Sequence, residues 1–367
     1  MPELLKDRYN ENSLRELARR FKAAYPPFQA DDFVAGVMDE TWDGLELKAR
    51  MRQVTVNLGR YLPDDYERAL GVIDKVATGY PAGVNDFTLM CFPDFVEVYG
   101  QEEGHWDLSM AALERYTPYG SAEFAVRPFL IRREARMMRQ MTAWTGHGSE
   151  HVRRLASEGC RPRLPWGQAL VSFQRDPSPV LDILERLKAD PSPYVRKSVA
   201  NNLNDISKTH PGLVAETARA WYGKDARTDW ILKHGCRTLL KKGDRELLDL
   251  FGFADPGCVK VEGFALGAAS VPIGGELAFT FAIEAGGADR VRLEYGVDYV
   301  KANGGRSRKI FQISERSSGA CGRRPYTRTH SFADTSTRRH YPGTHSITLI
   351  VNGAERGTLE FELLPAE

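Results

Sequence analysis

Two stretches of this chain combine acids, cations and an aromatic ring at spacings that could support chemistry. The first is His147-Gly148-Ser149-Glu150-His151-Val152-Arg153-Arg154-Leu155-Ala156-Ser157-Glu158-Gly159-Cys160-Arg161-Pro162-Arg163-Leu164-Pro165-Trp166-Gly167. Ser149 is placed to cap a short helix and Gly159 to end it in a left-handed conformation. Glu158 then stands at a helix C-terminus, where the backbone dipole disfavours a carboxylate, so a cation should compensate it. Arg154, one helical turn earlier, is an available partner. Trp166 follows in a proline-flanked loop and reads either as a site residue or as packing. The second stretch runs from Tyr194-Val195-Arg196-Lys197 to Asp205-Ile206-Ser207-Lys208. Val195, Val199, Leu203 and Ile206 give it an apolar face, while Lys197, Asn201 and Asp205 follow one another on the polar face with Lys208 alongside. Asp205 is either a carboxylate held rigidly between cations or a surface acid paired with Lys208 at i+3. Glu123, in Gly120-Ser121-Ala122-Glu123-Phe124, is a third candidate, or a first-turn acid favoured by the helix dipole. Paired carboxylates serve cationic centres in sugar hydrolases, and one member can deprotonate water.

Helices must hold these groups. Up to about Phe251 the apolar residues recur at the helical period: Leu47, Met51, Val54 and Leu58 in one segment, Tyr66, Leu70, Ile73 and Val76 in the next. Near the N-terminus, Ser13 with Glu16 three residues on resembles a capping box. Turns such as Tyr25-Pro26-Pro27, Leu62-Pro63-Asp64-Asp65 and Tyr80-Pro81-Ala82-Gly83 separate the segments. Val180 to Leu187, Asp190-Pro191-Ser192-Pro193, then Val195 to Ile206 is the helix–turn–helix grammar of HEAT-like repeats. A hairpin of that kind cannot bury its apolar face alone. The expectation is therefore a mainly α protein, a HEAT-like helical-repeat solenoid over residues 1–255.

After Asp255-Pro256-Gly257 the period changes to two. Val259 to Phe264, Glu276 to Phe281, Val291 to Tyr295 and His345 to Val351 read as strands, and Asn352-Gly353 turns the last into Gly357 to Leu363. Residues 256–367 match the size of an immunoglobulin-like β-sandwich. The Arg- and Gly-rich stretch from about Lys301 to Tyr341 is expected to form its loops.

The net charge over 367 residues is only +1, yet the cations cluster. One cluster runs from Arg127 to Arg163, opposed by Glu134, Glu150 and Glu158 alone; another runs from Lys301 to Arg339, opposed by Glu315 and Asp334. Local positive patches on a near-neutral chain suit a polyanion held on one surface, or are two solvated faces. Cys91, Cys160, Cys236, Cys258 and Cys321 are scattered without a CxxC, which supports neither a zinc site nor a disulfide framework. The start of the chain is no signal peptide, no apolar run is long enough to span a membrane, and a cytoplasmic protein is expected.

The motifs "HVRRLASEGCRPRLPWG" and "YVRKSVANNLNDISKTHP" together closely resemble those of the HEAT-like repeat alkylpurine DNA glycosylases, specifically the AlkC branch. The resemblance covers the helical part, and the sandwich is similar to the Ig-like extension of some AlkC proteins. It implies a monofunctional glycosylase that removes cationic bases such as N3-methyladenine and N3-methylcytosine, with Asp205, Glu158, Glu123 and Trp166 as its site residues. Arg153, Arg154, Arg161, Arg163, Lys197, Asn201 and Lys208, with Arg323 and Arg324 of the sandwich, would contact DNA, with at least one of Arg153, Arg154, Arg161 and Arg163 instead supporting the fold or the site carboxylates. The expected partner is double-stranded DNA carrying alkylated bases, the protein a monomer with no membrane attachment, and neither metal nor cofactor is implied. A non-catalytic DNA reader and a protein-binding scaffold are the competing classes.

Overall fold

The computed structural model describes residues 4–81, 83–84, 86–285, 290–317, 322–335 and 338–366. Ala82 of one expected turn, and Cys321, lie outside the described residues. The chain divides into two compact units. One runs up to Thr209 and includes Gly223–Gly235; the other comprises His210–Tyr222 and everything from Cys236. By compactness, three short helices that precede residue 256 (Pro211–Trp221, Arg237–Lys241 and Arg245–Leu250) group with the strands.

The first unit is helical. Its N-terminal helix, Glu11–Ala24, begins earlier than the Ser13 cap implies: Asn10 accepts from the Ser13 backbone and the Ser13 hydroxyl answers the Asn10 N–H, a capping box shifted by three residues. The helices Leu47–Tyr61 and Tyr66–Ala77 bury the periodic residues that define them. The candidate chemistry sits among four helices, Glu134–Trp144, Glu150–Gly159, Ser178–Leu187 and Pro193–Ile206. Pro193–Ile206 packs against Glu150–Gly159 and Ala226–Gly235, and Glu150–Gly159 also meets Glu134–Trp144 and Ser178–Leu187. The seam is apolar: Val152, Leu155 and Ala156 are fully buried, as are Val195, Val199 and Leu203. Pro193 occupies the first turn of its helix, where a missing N–H costs nothing, and the Ser192 hydroxyl accepts from the Tyr194 and Val195 N–H groups.

In the second unit, eight strands form two sheets among the described residues: β1 (Val259–Leu266), β2 (Ser270–Pro272), β3 (Glu276–Ala285), β4 (Arg290–Val300), β5 (Arg306–Ser317), β6 (Gly322–Ser331), β7 (Gly343–Val351) and β8 (Ala354–Leu364). One sheet has the order β1-β3-β6 and the other β2-β8-β7-β4-β5. Phe279, Phe281, Leu293, Val297, Ile347, Leu349 and Phe361 share one core. The stretch expected to be Arg-rich loops is corrected here: most of it forms β5 and β6. Charge concealed them, because a sheet's exposed face tolerates cations that raise no apolar alternation. Arg323 and Arg324 are thus strand residues on β6, paired opposite Glu284 and Ile283 of β3.

The β7–β8 hairpin turns on Asn352 (φ 46°) and Gly353 (φ 80°), both left-handed as a two-residue primed turn requires. Asn352 is buried there, accepting the Arg292 N–H at 2.7 Å and donating to the Ala254 carbonyl at 2.8 Å. A Cβ on Gly353 would lie 2.6 Å from the Gly243 Cα, so backbone meets backbone. Gly353→Ala is expected to destabilise the protein by at least about 1–2 kcal/mol, the usual left-handed penalty, seen as a lower denaturant midpoint.

Candidate active site

The Glu150–Gly159 helix brings Glu158 to its C-terminal end, as the motif spacing implies. Its two ends differ from expectation. The Ser149 side chain makes no capping bond. Gly159 is helical, not a left-handed terminator; a Cβ there would stand 2.6 Å from Val126 Cγ2 and 2.9 Å from Met141 Cε. Glycine serves close packing at this end of the helix, and that packing fixes where Glu158 points.

From Glu158 an ion network of alternating sign runs in both directions. Its Oε1 accepts from Arg161 Nη1 at 2.6 Å, and Arg161 Nε donates to Asp205 Oδ2 at 2.8 Å. Lys208 Nζ closes that end on Asp205 Oδ1 at 3.0 Å. On the other side Arg154 Nη2 lies 3.4 Å from Glu158 Oε1, while Arg154 Nη1 pairs with Glu123 and donates to the Ser121 hydroxyl at 2.7 Å. The structure therefore brings Glu123, Glu158 and Asp205 into one assembly, with Arg154, Arg161 and Lys208 as matching cations. Their access is graded: side-chain exposure is 2% for Asp205, 6% for Glu158 and 16% for Glu123. Burial pushes the Glu158 carboxyl up, but Arg154 and Arg161 outweigh it and hold the group below its ordinary value. The adverse helix-end position is thus compensated by arginines, and the carboxylate stays ionised. Asp205 lies on a buried part of its helix, whereas Lys197 at the other end of the same row is exposed and Asn201 intermediate.

At its Glu123 end the network opens to a cleft of about 260 Å³ whose walls include Asp86, Phe87, Phe124, Arg154, Trp166 and Tyr194. Glu158 and Asp205 do not line it; they lie behind the arginines. Trp166 is 63% exposed and adopts φ 60°, a strained backbone for a bulky residue. Lys48 Nζ holds it there through the Trp166 carbonyl at 3.0 Å and lies over the Phe124 ring at 4.5 Å. Arg154 lies over the Tyr194 ring at 5.1 Å. Asp86, Phe87 and Lys48 escaped the sequence reading because they sit far away in the chain, in no recognisable motif.

Arg127, expected only as part of a basic surface, is fully buried. Its Nη1 donates to the Gly159 carbonyl at 3.0 Å and its Nε to the Gln168 carbonyl at 2.5 Å, so it grips both ends of the loop bearing Arg161 and Trp166. Burial lowers its pKa to about 10. Three of the expected phosphate clamps bind carboxylates of the protein. Arg153 is engaged by Asp190 at 2.7 and 3.1 Å, Arg154 by Glu123, and Arg161 is buried between Glu158 and Asp205. These arginines hold protein carboxylates. Lys208 covers Asp205 with a side chain that is 43% exposed. Arg163 and Lys197 enter no ion pair among the described residues, and Arg323 lies 3.3 Å from Glu262.

Burial raises the thiols of Cys160 and Cys236 to about 12, and with Cys91 and Cys258 they are free. Among the described residues no helix is long and apolar enough to cross a membrane.

Comparison with known proteins places the chain in a family. Residues 117–239 match the family described as DNA alkylation repair enzyme, and residues 260–365 match the C-terminal Ig-like domain of YhaZ. YhaZ of Bacillus subtilis (strain 168), an uncharacterised protein, is 45% identical over 359 residues, covering 98% of this chain and 99% of its own. The solved structure of Pseudomonas fluorescens alkylpurine DNA glycosylase AlkC, bound to DNA containing an abasic site analogue, is 37% identical with a TM-score of 0.92. That match covers 98% of this chain and 99% of the AlkC chain. By motif, fold and extent of match, the chain belongs to the DNA alkylation repair enzyme family, in its AlkC branch, with a C-terminal Ig-like domain.

Proposed function

We propose that this protein is a monofunctional DNA glycosylase that hydrolyses the N-glycosidic bond of cationic alkylated bases, N3-methyladenine and N3-methylcytosine among them, in double-stranded DNA. The observation that carries this reading is the alternating carboxylate–arginine network, buried at Asp205 and open to an aromatic cleft at Glu123. An alkylated base already carries positive charge and is a good leaving group. As the bond from C1′ to the base nitrogen breaks, its electron pair passes to the base, which leaves neutral, and positive charge develops on the sugar. Fixed carboxylates in a poorly solvated site stabilise that charge without reorganising.

Glu123 is the member placed to meet the sugar and to take the proton of the attacking water, whose oxygen bonds to C1′. Trp166 offers an exposed indole face to the cationic centre. Glu158 and Asp205 supply negative potential from behind and hold Arg154 and Arg161 in place. A DNA phosphate drawing Lys208 away would uncover Asp205 as well. In this reading the helices of residues 1–255 stack as a HEAT-like solenoid and present the site. The sandwich of residues 256–367 contacts the duplex through Arg323 and Arg324, with Lys197 and Arg163 free for phosphates on the helical side. The enzyme acts as a monomer.

The test is incubation with duplex DNA treated with a methylating agent, followed by chromatography of the freed bases. Release of N3-methyladenine and N3-methylcytosine well above the spontaneous rate is expected. Tight, salt-dependent binding to the same DNA without release would instead identify a non-catalytic reader.

A further inference from the structure

The cleft holds a carboxylate outside the network. Asp86 lines it, yet among the described residues no cation lies within ion-pair distance of it. Its Oδ1 accepts the Thr88 N–H at 2.9 Å, capping the short turn Phe87–Met90, and its backbone N–H donates to the Tyr119 carbonyl at 2.8 Å. The side chain is thus held in place by the backbone. The contrast with its neighbours is sharp: Glu123, Glu158 and Asp205 each have an arginine within reach, and Asp205 a lysine besides. Of the two carboxylates that line the cleft, Glu123 is paired with Arg154 and Asp86 has no ion-pair partner among the described residues.

The aromatic walls point the same way. Two of the rings that line the cleft already carry one of the chain's own cations, Lys48 over Phe124 and Arg154 over Tyr194. No such cation is found over the Trp166 or Phe87 rings among the described residues, and Trp166 is mostly open to solvent. Ring faces beside an unpaired carboxylate attract a positive, ring-shaped group through the quadrupole and the full charge together.

Resting on the glycosylase reading above, we propose that Asp86 is a specificity determinant of the cleft, selecting a ligand whose ring is positively charged over a neutral ring of the same shape. Such selection has a use in the reaction. The sugar gains positive charge as the bond breaks, and the product site is neutral, so Asp86 favours the reacting state and not the product.

The probe pair is duplex DNA bearing a pyrrolidine abasic-site analogue, cationic in the sugar ring, and the same duplex bearing a neutral tetrahydrofuran analogue. The full chain is expected to favour the pyrrolidine DNA. Asp86→Asn should shrink the ratio of the two affinities about tenfold, the size of one charge–charge contact largely screened by solvent. Binding of the tetrahydrofuran DNA should change less than about twofold on the same argument. Asp86→Ser keeps a capping oxygen for Thr88 while removing the charge, and should behave as Asp86→Asn does. An unchanged ratio in both variants, or no pyrrolidine preference in the parent, would overturn the assignment. Failure of the glycosylase reading is a separate result: no base release from methylated DNA, with the Asp86-dependent ratio intact.

Discussion

Glu158→Gln is expected to slow base release by about 10²–10³-fold, the usual loss when one preorganised electrostatic partner of a transition state is removed. Gln keeps the shape and an acceptor for Arg161 but removes the charge, so DNA affinity should hold while the chemical step falls. The substitution also leaves Arg154 with Glu123 alone and Arg161 with Asp205 alone, which turns a balanced assembly into one with excess positive charge. A developing sugar cation is then repelled where it was stabilised. The same substitution has a signature in acid. Because the folded carboxyl is held below its ordinary value, its ionised form contributes stability that is fully present above that value. This contribution is lost as pH falls through the depressed folded value. Glu158→Gln should therefore flatten the acid limb of the stability profile below about pH 4.5, measured by denaturant unfolding across pH. A variant with full activity and an unaltered acid limb would remove Glu158 from the account.

Arg161→Met should give the largest loss of stability. Arg161 is 8% exposed and bridges two carboxylates that are still more buried, with bonds of 2.6 and 2.8 Å in a fork that only guanidinium provides. Removing one partner of a buried pair typically costs about 3–5 kcal/mol, because the remaining charge stays desolvated. Lys208 on Asp205 and Arg154 near Glu158 moderate the damage, so the lower end of that range is expected. Arg161→Lys is a sharper probe. Lysine restores a charge but cannot serve both carboxylates at once, so stability should recover in part while base release stays low. Equal recovery of both would mean that Arg161 acts only as a counter-charge.

Much of this was legible in the chain because it was local. The helices around residues 47–76 and 178–206 follow from apolar period and proline turns, all contained within about twenty residues of sequence. Glu158 at a helix end, with an arginine one turn earlier, is visible for the same reason. So is the Asn352-Gly353 turn, whose two positive φ values follow from residue type. Resemblance to the AlkC family supplied the choice of Asp205, Glu123 and Trp166, which spacing alone left open.

The misread features depend on tertiary contact. Arg153, Arg154 and Arg161 look like surface charge in sequence, since nothing local reveals that Asp190, Glu123 and Asp205 fold onto them, and nothing local shows that Arg127 grips the Gly159 and Gln168 carbonyls. Asp205 appears on a polar helix face, yet it is itself buried, with Arg161 folded onto it from another segment. β5 and β6 escaped notice because their exposed arginines break the alternation that marks a strand. Asp86 carries no signal of its own, and only the folded cleft shows that it faces Trp166 without a counter-charge.

The most direct test compares the single-turnover release of N3-methyladenine from duplex DNA by the parent and by Asp205→Asn, at saturating enzyme with DNA affinity measured alongside. The carboxylate network predicts rapid release by the parent and a loss of about 10²-fold or more in the variant, at nearly equal affinity. Equal rates from the two proteins would show that the buried end of the network plays no part in bond cleavage and would contradict the account.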